Sequence, residues 1–141
     1  MGDDFKRPDI CVDIIVFFGD CILLIDRNEE PLGLALPGGH VDYGECCEAA
    51  AIRELKEESG LDVTEEDLEL LCVMSDPERD PRRHKISICY STTAAHGIPK
   101  AASDAKEVHL VPIHTLPDLQ LAFDHDDIIN RGLSHDNSSD F

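Results

Sequence analysis

The order of apolar and polar positions divides the chain into short strand-like runs and two helical ones. Ile10 to Phe18 is a run of Ile, Val and Phe, which predicts a β-strand. Gly19-Asp20 supplies a turn and Cys21 to Asp26 a second strand, so the two read as a hairpin. Arg27 to Gly33 is a polar loop containing Pro31, and Leu34 to Leu36 is a brief apolar segment stopped by Pro37-Gly38-Gly39. From Glu45 to Ser59 the pattern becomes helical. Ala49, Ala50, Ala51, Ile52 and Leu55 combine good helix propensity with an apolar face, and Gly60 is a natural terminator. Strands are predicted over Leu68 to Met74, Lys85 to Ser91 and Val108 to Ile113. A charged loop, Ser75 to His84, and a second loop, Ala94 to Ala105, connect them. Phe123, Ile128, Ile129 and Leu133 predict a C-terminal helix over Phe123 to Leu133, followed by a polar tail, 134–141, that should fray.

At 141 residues the chain reads as a single domain, 1–141, large enough to bury a core without disulfides or a structural metal. Its formal net charge of −18 argues against a nucleic-acid surface, which needs Lys and Arg to displace counterions. An anionic small substrate would have to be met locally, by a few arginines or by divalent cations. No apolar run is long enough to span a bilayer, and Met1 to Arg7 lacks the apolar centre of a signal peptide, so a soluble cytoplasmic protein without membrane contact is expected. Six cysteines form no Cys-x-x-Cys pair and no zinc spacing. Cys11, Cys21, Cys72 and Cys89 sit in strand-like runs as small apolar groups, and the acidic setting of Cys46-Cys47 argues against reactive thiols.

Candidate chemistry concentrates between Pro37 and Leu61. Glu54, Glu57 and Glu58 stand three and four positions apart, so they project from one helix face. Like charges at those spacings repel, and a protein that keeps three has either solvated them or placed a cation among them. By periodicity alone a solvated acidic face is the commoner explanation. The whole stretch carries more information. Gly39, Glu45 and Arg53-Glu54-Leu55-Lys56-Glu57-Glu58-Ser59-Gly60-Leu61 fall at the spacing G-x5-E-x7-R-E-U-x-E-E-x-G-U, where U is apolar. This resembles the Nudix box at every specified position. The resemblance covers roughly residues 9–133. It implies an α/β fold, a Nudix-type α/β/α sandwich with a mixed β-sheet, and Mg²⁺-dependent pyrophosphohydrolase activity with Mn²⁺ as an alternative metal. It also implies that Glu54, Glu57 and Glu58 are metal ligands, with the Gly38 carbonyl adding a further one. Glu45 and Arg53 would form an ion pair that fixes the loop against the helix. The general base would be Glu57 or Glu58, or a later loop acid, Asp104 or Glu107.

A second stretch bears on the substrate. Ser75 to His84 gathers Arg79, Arg82 and Arg83 in a chain with few cations, and Pro77 and Pro81 would stiffen the loop. The planar fork of arginine suits phosphate and ribose, although such a turn can equally pair its arginines with nearby acids. Pro77 stands 16 positions after Leu61. Together with Ser-Asp-Pro-x-Arg-Asp-Pro-Arg-x-His and the later Leu121-Ala122-Phe123-Asp124-His125, it is similar to the ADP-ribose pyrophosphatase subgroup. The implied substrate contacts are Pro77, Arg79, Arg82, His84 and Asp104, and the implied reaction is ADP-ribose to AMP and ribose 5-phosphate. The partner would be a small nucleotide, and a homodimer is common in the resembled family. The alternatives are a (deoxy)nucleoside triphosphate or dinucleotide polyphosphate substrate, or a sensor that binds nucleotide without cutting it.

Overall fold

The computed structural model describes residues 6–100 and 107–138. Its central element is β1 (Asp9–Phe18). Val12, Ile14 and Val16 leave one face of this strand and Ile15 the other, all fully buried, because successive strand side chains point to opposite faces. The end of β1 pairs antiparallel with β2 (Cys21–Arg27), and Cys11 to Asp13 pair antiparallel with β4 (Gly38–His40). Along its other edge β1 runs parallel to β6 (Lys85–Thr92) from Asp9 opposite Lys85 to Val16 opposite Thr92. β2 also pairs with β3 (Gly33–Ala35) and β7 (Val108–Pro112), and β6 with β5 (Glu69–Met74), all antiparallel. The sheet is therefore mixed, as expected.

The two helices cover opposite faces of this sheet. α1 (Cys47–Ser59) buries Ala50, Ala51 and Leu55 against Val12, Ile14, Val16, Leu23 and Tyr90. α2 (His125–Ser138) buries Ile128 and Ile129 against Ile15, Ile22, Leu24, Leu36 and Cys89. Gly132 permits this second contact, since a Cβ there would lie 2.5 Å from the Ile15 Cδ1 methyl. The result is the α/β/α sandwich.

Apart from one-residue shifts of strand ends and two short 3₁₀ turns, four features differ from the sequence reading. β4 forms where only a glycine stop was expected, because glycine has low strand propensity and pairing with β1 decides the matter. α1 begins at Cys47, two residues late. Cys46 is extended and its Sγ accepts the Ala49 N–H, which leaves Glu45 outside the helix. α2 starts at His125, because Phe123 takes a left-handed backbone with φ of 56° that no helix can include. It also runs on to Ser138 instead of fraying after Leu133, helped by a hydrogen bond between His135 Nε2 and Glu69 Oε1 on β5. Residues 139–141, the end of the expected tail, lie outside the described residues.

Candidate active site

The glycine turn and α1 meet at one point. Gly38 is sterically required by backbone, and at Gly39 a side chain would have to displace the Glu54 carboxylate. A Cβ on Gly38 would collide with the Val12 carbonyl and stand 2.6 Å from Asp13 Oδ1, and one on Gly39 would stand 2.5 Å from Glu54 Oε1. The backbone thus presses directly against the carboxylate face of α1. Glu58, almost fully buried, accepts the Gly38 N–H at 2.7 Å. The turn and the helix are joined through one of the predicted ligands.

Arg53 organises the rest. Its Nε donates to Glu45 Oε2 at 2.8 Å and its Nη2 to Glu45 Oε1 at 3.0 Å, a two-bonded fork. Nη2 also donates to the His40 carbonyl at 2.9 Å, and Nη1 bridges Glu54 (3.0 Å) and Glu57 (3.2 Å). The Arg53 hydrogen bonds, and then the Asp42 N–H, hold the Glu45 carboxyl down at about 2. One guanidinium therefore aims two carboxylates and ties them to the loop. The Glu45–Arg53 pair forms as the resemblance implied.

These groups line one wall of a cleft of about 490 Å³, a volume suited to a small ligand. Gly38, Gly39, Glu54, Glu57 and Glu58 all reach it. Their donors are oxygens, the ligand type that hard divalent cations prefer, with the Glu54 carboxylate against Gly39 and the Glu58 carboxylate bonded to the Gly38 N–H. The residues fit a Mg²⁺ or Mn²⁺ ion.

The rest of the lining includes a cationic wall of Arg27, Arg79, Arg82 and Lys85, and only part of it was anticipated. Arg79 and Arg82 line the cleft, whereas Pro77 and His84 stand outside its lining. Pro77 is exposed, and the His84 ring closes its own loop by bonding the Ser75 carbonyl at 3.1 Å. Arg79 is nearly buried and gives both nitrogens of its fork to Asp124, at 2.9 and 2.7 Å. Its charge is spent on the segment before α2. Arg82 forks onto buried Asp80 yet keeps a third of its side chain exposed. Asp104 lies outside the described residues. Glu107 is exposed, with its carboxylate 4.0 Å from His109 Nε2, away from the cleft lining.

Sequence reasoning missed Arg27, Asp13 and His125. Arg27 ends β2, next to the loop that was read only as polar. His125 entered the sequence reading as the end of the Leu121-Ala122-Phe123-Asp124-His125 string. It is buried; its Nδ1 accepts the Leu36 N–H at 3.0 Å, and its Nε2 lies 3.5 Å from Asp13 Oδ1. Burial pushes the imidazole down and the Asp13 carboxyl up, and Ser87 donates to that carboxyl at 2.5 Å. Beneath the cleft, a polar network therefore ties α2 to the segment leading into the glycine turn. No local pattern reveals it, since its members are far apart in the chain.

The NUDIX domain family matches residues 7–132. Over 127 residues the chain is 44% identical to the ADP-ribose pyrophosphatase of Methanocaldococcus jannaschii, covering 89% of this chain and 73% of the relative. Among solved structures, it is similar to the NUDIX domain of Shewanella oneidensis NrtR, complexed with ADP ribose. That likeness has a TM-score of 0.85 and 25% identity, and covers 94% of this chain and 91% of the other. It is also similar to a bifunctional NMN adenylyltransferase/ADP ribose pyrophosphatase from Francisella tularensis, complexed with AMP and a manganese ion. Here the TM-score is 0.79 and the identity 32%, over 94% of this chain but 43% of the other, so the chain spans less than half of that protein.

Proposed function

The chain belongs to the NUDIX family, and from that premise we propose that it hydrolyses ADP-ribose to AMP and ribose 5-phosphate, with Mg²⁺ as its metal and Mn²⁺ as a substitute. The observation that carries this reading is a single cleft lined by carboxylates, two of them bonded to Arg53, and by arginines. A diphosphate linking two bulky groups needs both: hard-cation ligands on one side of its phosphates and hydrogen-bond donors on the other. The relative named for ADP-ribose, and the solved neighbours with ADP ribose or AMP bound, support the choice of substrate.

In this mechanism Glu54, Glu57, Glu58 and the Gly38 carbonyl would hold the cation. Bound there, it would neutralise the diphosphate and make a water a better nucleophile at neutral pH. Arg53, pinned by Glu45, keeps Glu54 and Glu57 aimed into the cleft. Glu57 or Glu58 takes the proton as the water oxygen bonds to phosphorus and the bond to the bridging oxygen breaks. Arg82 donates to the phosphate oxygens. Arg79 acts through Asp124 as a positioning residue.

The test is product analysis with Mg²⁺, offering ADP-ribose, NADH, a dinucleoside polyphosphate and nucleoside triphosphates in parallel. AMP should be released preferentially from ADP-ribose, and the activity should be lost in Glu57→Gln. Preference for a triphosphate would overturn the substrate assignment. Tight nucleotide binding without turnover would make the protein a sensor.

A further inference from the structure

Phe123 is the one described non-glycine residue with a positive φ, 56°, a costly conformation for a bulky side chain. It persists because its chain neighbours are held firmly. Ala122 N–H bonds the Leu34 carbonyl at 2.9 Å, Asp124 is gripped by Arg79, and His125 accepts from Leu36. The strain places the Phe123 ring in the cleft, where two guanidinium groups gather at it. Arg27 lies 4.6 Å from the ring centroid and Arg82 5.4 Å. Each is steadied from behind, Arg27 by the Pro31 carbonyl at 2.6 Å and Arg82 by Asp80. Two cations over one ring repel each other and call for an anion between them. The protein supplies one: Glu29 Oε1 stands 3.8 Å from Arg27 Nη2 and 3.6 Å from Arg82 Nη1. These are its only ionic partners among the described residues, and its side chain is 72% exposed.

We propose that Arg27 and Arg82, mounted on Phe123, form a seat for a phosphoryl group of the substrate, and that Glu29 occupies this seat in the free protein as a built-in competitor. The proposal rests on the diphosphate reading above and adds to it a residue that sets affinity. The same Glu29 oxygen reaches both guanidinium groups, so carboxylate and phosphate cannot use the seat together. Ion pairs this exposed and this long are weak, which lets a phosphate displace Glu29. A phosphate offers more acceptor oxygens to two guanidinium forks than one carboxylate oxygen does. Glu29 therefore weakens the binding of any anion at this seat by the cost of displacing it.

The experiment is metal-free calorimetry with inorganic pyrophosphate, alongside steady-state kinetics on ADP-ribose. Removing two weak ion pairs corresponds to roughly a threefold gain. Glu29→Gln should bind pyrophosphate about that much more tightly and show a KM lowered to match. Glu30→Gln, the same charge change one residue away, should not. In an Arg27→Gln background the gain from Glu29→Gln should shrink by at least half. Unchanged binding in Glu29→Gln, an equal gain in Glu30→Gln, or a full gain without Arg27 would each overturn the proposal. If the protein leaves ADP-ribose intact while the calorimetric pattern holds, the substrate assignment fails and the anion seat stands.

Discussion

The two walls of the cleft are built in opposite ways. The carboxylate wall comes from one continuous stretch, Gly38 to Glu58, in which helix periodicity alone brings Glu54, Glu57 and Glu58 together and a single arginine aims two of them. The cationic wall is assembled from three distant segments: the end of β2, the loop before β6 and the segment before α2. On the first wall, positioning and chemistry use the same few residues. On the second they are divided, with Arg79 and His125 buried as braces while Arg82 and Arg27 remain near the surface. Side chains of one type in one motif can therefore have different roles, and burial decides which.

The largest effect expected on either wall is in Glu57→Gln. Loss of a carboxylate that holds the cation or takes the proton should cut kcat by about a hundredfold or more, while thermal melting stays near that of the parent because the side chain is half exposed. A drop of only a few fold would move the essential base elsewhere. Next is Arg79→Gln, which should lower stability by about 3 kcal/mol, since it strands Asp124 without its partner near buried Asp13. Urea denaturation measures this. If stability held while KM rose, Arg79 would be a substrate contact, and the division between braces and contacts would collapse.

Arg82→Gln should lower stability as well, since it removes the fork that holds buried Asp80, but its distinguishing effect is on binding, a KM for ADP-ribose raised about tenfold through loss of a charged hydrogen bond. A large loss of stability with KM unchanged would make Arg82 a second brace. The smallest effect belongs to the carboxylate wall. Glu45 is held at about 2, below its usual 4.5, so its pairing with Arg53 stabilises the fold fully above 4.5 and is lost as pH falls through about 2. Melting temperatures of the parent and Glu45→Gln should therefore differ most above pH 4.5 and converge near pH 2. A constant gap down to pH 2 would show that the pair contributes only geometry.

Much of the architecture was legible before any coordinates. The strands and α1 were recoverable because alternation and the 3.6-residue period are local consequences of burying one face. Gly60 ended α1 as expected, with φ of 74° and its N–H bonded to the Lys56 carbonyl. β4 was not legible, since Gly38 and Gly39 have no preference for a strand until β1 lies beside them. Nor was the start of α2, because nothing local shows that Phe123 is forced out of the helix.

The sequence alone determined that Glu54, Glu57 and Glu58 share one helix face, because a helix converts fixed spacing into a fixed array, and the chemistry came with the resemblance to the Nudix box, since spacing alone fits a solvated acidic face equally. It also brought out the arginine-rich loop and pointed to the substrate class. Tertiary structure decided which arginine braces and which faces the cleft. It added Arg27 and Phe123 to that wall and set Glu29 within reach of both the Arg27 and Arg82 guanidinium groups. These are long-range matters: they depend on how β2, the loop before β6 and the segment before α2 close around one point, and no spacing within any one segment encodes that meeting.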